Sequence, residues 1–194
     1  MIAIINYGAG NLQSVLNSFL DFTDDVIVSN NIEDLEKAEK IVLPGVGEAS
    51  FAMNTLRTNK IDTFLKNAEK PVLGICLGMQ LMCEYSEEGD TNCLGIFPIK
   101  VKKFDENKLK VPHMGWNTVN FIKFSKLFES IENTSYFYFA NSYYIENNNY
   151  VTGLTNYSFD FCSAFEKNNF YGVQFHPEKS SEIGKQIIRN FIKL

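Results

Sequence analysis

Histidine is nearly absent from this sequence: His113 and His176 are the only two in 194 residues. Any chemistry that needs an imidazole is confined to those two places. Cysteine is sparse as well, with four residues, at positions 76, 83, 93 and 162. No two of them are spaced as Cys-x-x-Cys, so they read as separate thiols and not as a zinc or disulfide framework, and no metal or cofactor is expected. Basic runs are missing too. Lys and Arg number 18 against 23 Asp and Glu, the net charge is −5 and the pI is about 5.1, which argues against a polyanionic partner such as nucleic acid. No apolar stretch approaches the ~18 residues that span a bilayer, so no membrane segment is expected. The start, Met1 to Gly8, is apolar but lacks the basic leader and longer apolar core of a signal peptide. A cytoplasmic protein is the expectation.

What is present is ordinary for a globular chain, with 45% apolar and 21% charged residues. This length can bury one sizeable core, and no repeat, low-complexity tract or linker divides it, so a single domain over residues 1–194 is expected. Ile2–Asn6 reads as a buried first strand that runs into Tyr-Gly-Ala-Gly. An amphipathic helix opens at Asn11, with Leu12, Val15, Leu16, Phe19 and Leu20 on one face. Val26–Val28, Ile41–Leu43 and Pro71–Ile75 are further short buried strands; helices are expected over Phe51–Leu56 and Ile61–Ala68, and another follows Pro71–Ile75 at once and runs through Met79-Gln80-Leu81-Met82. Strands alternating with helices predict an α/β fold with a mostly parallel sheet and helices on both faces.

The second half changes character. Ile96–Phe104, Thr118–Ile122, Tyr136–Phe139, Val151–Leu154 and Phe161–Phe165 are strand-like and separated by Asn-rich turns. They predict antiparallel strands added to the same sheet, before a last strand at Phe170–Phe175 and an amphipathic helix at Ser181–Leu194. Tyr136-Phe137-Tyr138-Phe139 could suggest base stacking, but without interleaved basic residues it reads as a strand packed on both faces. Gly8-Ala9-Gly10 follows a strand, yet the third glycine of a dinucleotide fingerprint is replaced by Gln13. Cys83, seven residues after Cys76, reads as a core residue two helical turns further along.

Three stretches carry chemistry. Gly74-Ile75-Cys76-Leu77-Gly78 stands at a strand-to-helix junction. Glycines on either side permit the sharp turn that holds a nucleophile clear of a sheet. The following helix turns its positive end toward the sulfur, and the Leu77 N–H points where an oxyanion would develop. Two close-packing glycines around a buried cysteine would give the same pattern. Second, Val173-Gln174-Phe175-His176-Pro177-Glu178 delivers a histidine from a strand end, with a carboxylate two residues on that could fix its tautomer. Third, Leu43-Pro44-Gly45-Val46-Gly47 follows a strand, and its glycines let backbone N–H groups turn toward a site.

Together these stretches resemble the class I (triad) glutamine amidotransferase family, and within it the glutaminase subunits of imidazole glycerol phosphate synthases. The resemblance covers the whole chain. It rests on Ile5–Leu12, Leu43–Gly47, Pro71–Gln80, Val111–Asn117, Asn141–Tyr144 and Gln174–Ser180. It implies an open flavodoxin-like sheet with the elbow at its carboxyl edge. It implies that Cys76 attacks the carboxamide of glutamine, that His176 moves the proton and that Glu178 orients His176. Glutamine would be held by Gln80 and by the backbone around Gly45, Val46, Gly47, Leu77, Ser142 and Tyr143. It also implies a heterodimer with a (βα)8-barrel synthase subunit that uses the ammonia to form imidazole glycerol phosphate and AICAR in histidine biosynthesis. Asn11, His113, Met114, Trp116 and Lys179 match positions at or near that interface.

The chain departs from the family pattern at Asn6, usually aspartate, and at Asn141, usually histidine. Neither belongs to the triad, but they leave open a paralogous acceptor, a synthase of surface-sugar biosynthesis. An α/β cysteine hydrolase or peptidase and a non-catalytic binding module are the other readings. Gln80 and the Pro44–Gly47 loop speak against the former, and the full Cys-His-Glu set against the latter.

Overall fold

The computed structural model describes residues 1–8 and 10–194; Ala9, the middle residue of the Gly8-Ala9-Gly10 stretch, lies outside the described residues. The order is β1 (Ile2–Ile5), α1 (Leu12–Leu20), β2 (Val26–Ser29), α2 (Ile32–Lys37), β3 (Lys40–Leu43), α3 (Ala49–Thr58), α4 (Ile61–Lys66), β4 (Val72–Ile75) and α5 (Leu77–Leu81). It continues with β5 (Cys83–Ser86), β6 (Thr91–Asn92), β7 (Phe97–Lys103), β8 (His113–Phe121), β9 (Ser135–Asn141) and β10 (Tyr143–Ile145). β11 (Val151–Asn156), β12 (Asp160–Lys167), β13 (Phe170–Val173) and α6 (Ser181–Lys193) complete the chain.

Strands β2-β1-β3-β4-β13 lie side by side in that order and all pair in parallel. This is the flavodoxin-like arrangement, with the last strand of the chain in fifth place. Every residue of β1 and β4 is buried, as a parallel strand covered on both faces requires. The alternation of strand side chains feeds two cores. Ala3, Ile5 and Leu43 meet Leu35, Met53, Leu56 and Leu65 on one side. Ile4, Val42, Leu73 and Val173 meet Phe19, Ile187 and Phe191 on the other. Helices α1 and α6 close that second face through the Phe19–Phe191 pair, whose rings meet edge to face at 6.3 Å. Fully burying one such ring contributes roughly 1.5–3 kcal/mol.

From β13 the sheet turns antiparallel through β12, which continues to β10 and β7 and also pairs with β11. β8 joins β11, and β9 joins β8. The expected mixed sheet is therefore present. Several details differ from expectation, among them the last strand, expected through Phe175, which ends at Val173. Helix α2 has a local signal that a search for apolar runs passes over: Asn31 caps the Glu33 N–H, with Glu33 and Asp34 in the first turn and Lys37 in the last. The expected helix through Met82 stops at Leu81, because Cys83 pairs with Phe97 and starts β5. Cys83 is buried as expected, though in a strand. The Tyr136–Phe139 strand is packed on one face only: Phe137 and Phe139 are inside, while Tyr136 is 61% exposed. Among the described residues no helix is long and apolar enough to cross a membrane.

Candidate active site

Cys76 sits between β4 and α5 with φ 51° and ψ −108°, a backbone conformation that costs a non-glycine residue of order 1–3 kcal/mol. The surroundings enforce it. The Cys76 N–H donates to Val173 O at 2.7 Å, while its carbonyl accepts from the Gln80 N–H at 3.1 Å and opens α5. A Cβ on Gly74 would lie 2.7 Å from Met79 N, and one on Gly78 would overlap Leu43 O. One on Gly45 would overlap Ile75 O and Leu77 N. Three glycines thus let the elbow and the Pro44–Gly47 loop stack backbone against backbone. Close packing and the strained turn are one device.

Beyond β13 the chain bends at Gln174 and Phe175 and reaches His176, whose N–H donates to Tyr138 O at 2.8 Å. Its carbonyl accepts from Ser180 Oγ at 2.7 Å, and that hydroxyl in turn accepts from the Tyr138 N–H at 3.0 Å. The backbone is held on both sides. A 3-10 turn over Pro177–Lys179 brings Glu178 back, so that Oε1 lies 2.8 Å from His176 Nδ1. Asn11 Nδ2 donates to the same oxygen at 3.4 Å. Both side chains of the pair are buried. Burial disfavours the imidazolium, but the Cys76 sulfur beside the ring and Glu178 behind it outweigh burial and push the pKa up to about 10. The carboxylate fixes Nδ1 as the protonated nitrogen and leaves Nε2 for the sulfur.

A cavity of about 290 Å³ opens over the sulfur. Gly45, Val46, Gly47, Leu77, Gln80, Ser142 and Tyr143, all expected to hold substrate, line it together with Cys76 and His176. Lys179 also lines it, so a residue expected at a partner interface stands at the cavity wall. Glu88 and Asn141 line it as well. Glu88 carries no local signal, being one of several acidic residues in a polar loop. Its Oε2 accepts from the Ala49 N–H at 3.0 Å. Gln174 carries no signal of its own within the histidine stretch, yet its Nε2 is 3.4 Å from Cys76 Sγ and its Oε1 accepts from Gln80 Nε2 at 2.7 Å. Under the Pro44–Gly47 loop, the buried Tyr7 hydroxyl donates to Pro44 O at 2.6 Å. Burial pushes that phenol above its ordinary range, partly offset by the Val46 N–H facing its oxygen.

The expected interface residues divide. Met114 and Trp116 are 63% and 53% exposed on the outer side of β8, and Asn11 is half-buried beside Glu178. His113 is not a surface residue. Strand alternation turns it inward, opposite Asn141, where it stacks on Tyr157 at 4.2 Å and meets the Phe139 ring at a tilt at 4.9 Å. Burial pushes its pKa down to about 4. Of the two departures from the family pattern, Asn6 closes a local turn by accepting the Gly8 N–H at 3.0 Å, which a carboxylate oxygen would do equally. Asn141 Nδ2 donates to Tyr143 O at 2.9 Å and so braces the cavity wall.

A cysteine on a strained elbow at the carboxyl edge of a parallel sheet, faced by a buried histidine–carboxylate pair, places the molecule among α/β proteins arranged for acyl transfer. The description "glutamine amidotransferase class-I" matches residues 3–194. The chain is 46% identical over 195 residues to imidazole glycerol phosphate synthase subunit HisH of Bacteroides fragilis, covering all of this chain and 99% of that one. It is 41% identical to the HisH subunit of Haemophilus influenzae, over 99% of this chain and 96% of that one. The chain therefore belongs to the class-I glutamine amidotransferases, and within them to the group of the HisH subunits. It is an enzyme subunit. Among solved structures it is similar in fold to a glutamine amidotransferase, with a TM-score of 0.77 at 14% identity over 100% of this chain and 98% of that one. It is likewise similar in fold to PurLQS of Thermotoga maritima, with a TM-score of 0.75 at 14% identity over 99% and 97%.

Proposed function

We propose that residues 1–194 act as one cytoplasmic glutaminase domain, with Cys76 as nucleophile, His176 as proton carrier and Glu178 as its orienting carboxylate. The observation that carries this reading is the 2.8 Å contact between His176 Nδ1 and Glu178 Oε1, which leaves Nε2 to the sulfur on the strained elbow. The thiolate adds to the side-chain carbonyl carbon of glutamine, and the π electrons move onto the oxygen. The Leu77 N–H and an N–H of the Val46–Gly47 peptides serve as donors to that oxygen. As the intermediate collapses, His176 Nε2 protonates the amide nitrogen, the C–N bond breaks and ammonia leaves. Water, deprotonated by His176, then splits the thioester to glutamate and restores the thiol.

Binding follows from the cavity. Gln80 Nε2 is committed to Tyr143 O at 3.2 Å and to Gln174, so its oxygen is the end available to a substrate N–H. Glu88 supplies the negative charge that a substrate α-ammonium needs. The ammonia passes to a (βα)8-barrel synthase subunit seated on the Asn11, Met114, Trp116 and Lys179 side, in a heterodimer that forms imidazole glycerol phosphate and AICAR in histidine biosynthesis. The HisH relatives support this acceptor. The test is steady-state glutamate release with the barrel subunit and its acceptor nucleotide. Cys76→Ala and His176→Asn are expected to lose several orders of magnitude in rate; substantial turnover by purified Cys76→Ala would refute the assignment.

A further inference from the structure

We propose that Gln174 is a further catalytic residue: its side-chain N–H, together with His176, holds the Cys76 sulfur as the attacking anion. The proposal rests on the reading of Cys76 as nucleophile. Gln174 is fully buried, with its Nε2 3.4 Å from Cys76 Sγ. Its place follows from the sheet. β13 and β4 pair with Val173 opposite Ile75, and the Cys76 N–H donates to Val173 O, so the next residue of each strand lies side by side. Val173 and Phe175 pack into the core under α1 and α6, whereas Gln174 between them turns to Gln80 and Cys76.

The direction of the Gln174 amide is set by a group two bonds away in the chain of contacts. Tyr143 O is a carbonyl and can only accept, so the end of Gln80 that lies 3.2 Å from it must be nitrogen. That same Gln80 nitrogen is 2.7 Å from Gln174, which must present its oxygen there and its nitrogen to the sulfur. A flipped Gln174 would oppose nitrogen to nitrogen at one end and a carbonyl oxygen to the anion at the other. Only one orientation satisfies the chain from Tyr143 through Gln80 and Gln174 to Cys76.

A donor aimed at sulfur favours thiolate over thiol. It matters here because α5 has only five residues, leaving a short helix dipole behind the elbow. The titratable groups around the sulfur are His176 with Glu178, Tyr7 beneath the neighbouring loop, and Glu88, Tyr143 and Lys179 on the cavity wall. None of the others replaces a fixed N–H on the sheet side. A purely structural Gln174, present only to satisfy Gln80, would leave the ionisation of Cys76 unchanged.

The experiment is iodoacetamide alkylation of the full chain between pH 5 and 10, read by mass spectrometry on the Cys76 peptide so that the other three cysteines do not interfere. In Gln174→Leu the acid limb is expected to move up by about one pH unit, a roughly tenfold loss of rate on that limb. In the wild-type chain, one Gln174 side-chain amide proton is expected to move downfield in NMR spectra with the midpoint of alkylation. Coincident pH profiles for wild type and folded Gln174→Leu would overturn the proposal while leaving the nucleophile in place. If the variant does not fold, an amide resonance indifferent to Cys76 ionisation overturns it. A wild-type chain whose Cys76 resists alkylation at every pH removes the nucleophile reading itself, and the proposal with it.

Discussion

Gly45 and Leu77 lie backbone to backbone: a Cβ on Gly45 would overlap the Leu77 amide nitrogen. The loop after β3 and the elbow after β4 are therefore one mechanical unit, and each contributes residues to the same cavity wall.

Gly45→Ala should separate them. Forcing a methyl into close-packed backbone typically costs 1–3 kcal/mol, or a fall of roughly 2–10 °C in Tm for a chain of this size. Glutaminase activity should fall further than stability, because the donors move. Gly47→Ala has open space around its Cβ but a φ of +122°, so it should show strain without overlap. Melting curves and glutamate release on both variants check this; equal effects at the two positions would contradict the overlap argument.

Cys76 stores strain for its position. Cys76→Gly should be more stable than Cys76→Ala by about 1–3 kcal/mol, since glycine accepts the positive φ. Both variants should lack hydrolysis. Urea unfolding of the pair is the measurement, and an alanine variant as stable as the glycine one would show that the elbow is not strained.

His113 should limit acid stability. Its folded pKa of about 4 lies below the unfolded value of about 6.5. The folded state therefore holds the neutral ring. That stability is present above pH 6.5 and is lost as pH falls toward 4, amounting to roughly 1–3 kcal/mol once solvent screening is allowed for. His113→Phe should flatten the stability profile between pH 6.5 and 4. His176 has the opposite sign: its raised pKa of about 10 means stability present below pH 6.5 and lost as pH rises toward 10. Unfolding midpoints across pH for wild type and each histidine variant separate the two limbs.

Tyr7 should restrain the unpartnered chain. Its hydroxyl donates to Pro44 O and so ties down the loop that would have to move to supply an oxyanion donor. One such donor is worth roughly 3–4 kcal/mol. The isolated chain should thus turn over glutamine at least ~100-fold more slowly than a complex with the proposed barrel subunit and its acceptor nucleotide. Tyr7→Phe should narrow that ratio by raising the isolated rate. A ratio unchanged by the substitution would leave Tyr7 as packing alone, and equal rates in wild type with and without partner would remove the gating idea.

Much of the site was legible in the sequence because its key contacts are local or rest on backbone punctuation. Gly74, Gly78 and Gly45 announce places where only glycine fits, and His176 and Glu178, two residues apart, needed only Pro177 between them to meet. The alternation of strands and helices in the first half likewise determined the parallel layer. Tertiary structure decided the rest. Gln174 reaches Cys76 from 98 residues away, because β13 enters the sheet beside β4 after the antiparallel strands have been laid down. Glu88 and Lys179 are ordinary charged residues until the fold sets them around one cavity. His113 read as an interface residue and is buried, while Met114 next to it is exposed. Which face a strand residue shows depends on register with a distant partner, and a shift of one residue reverses it.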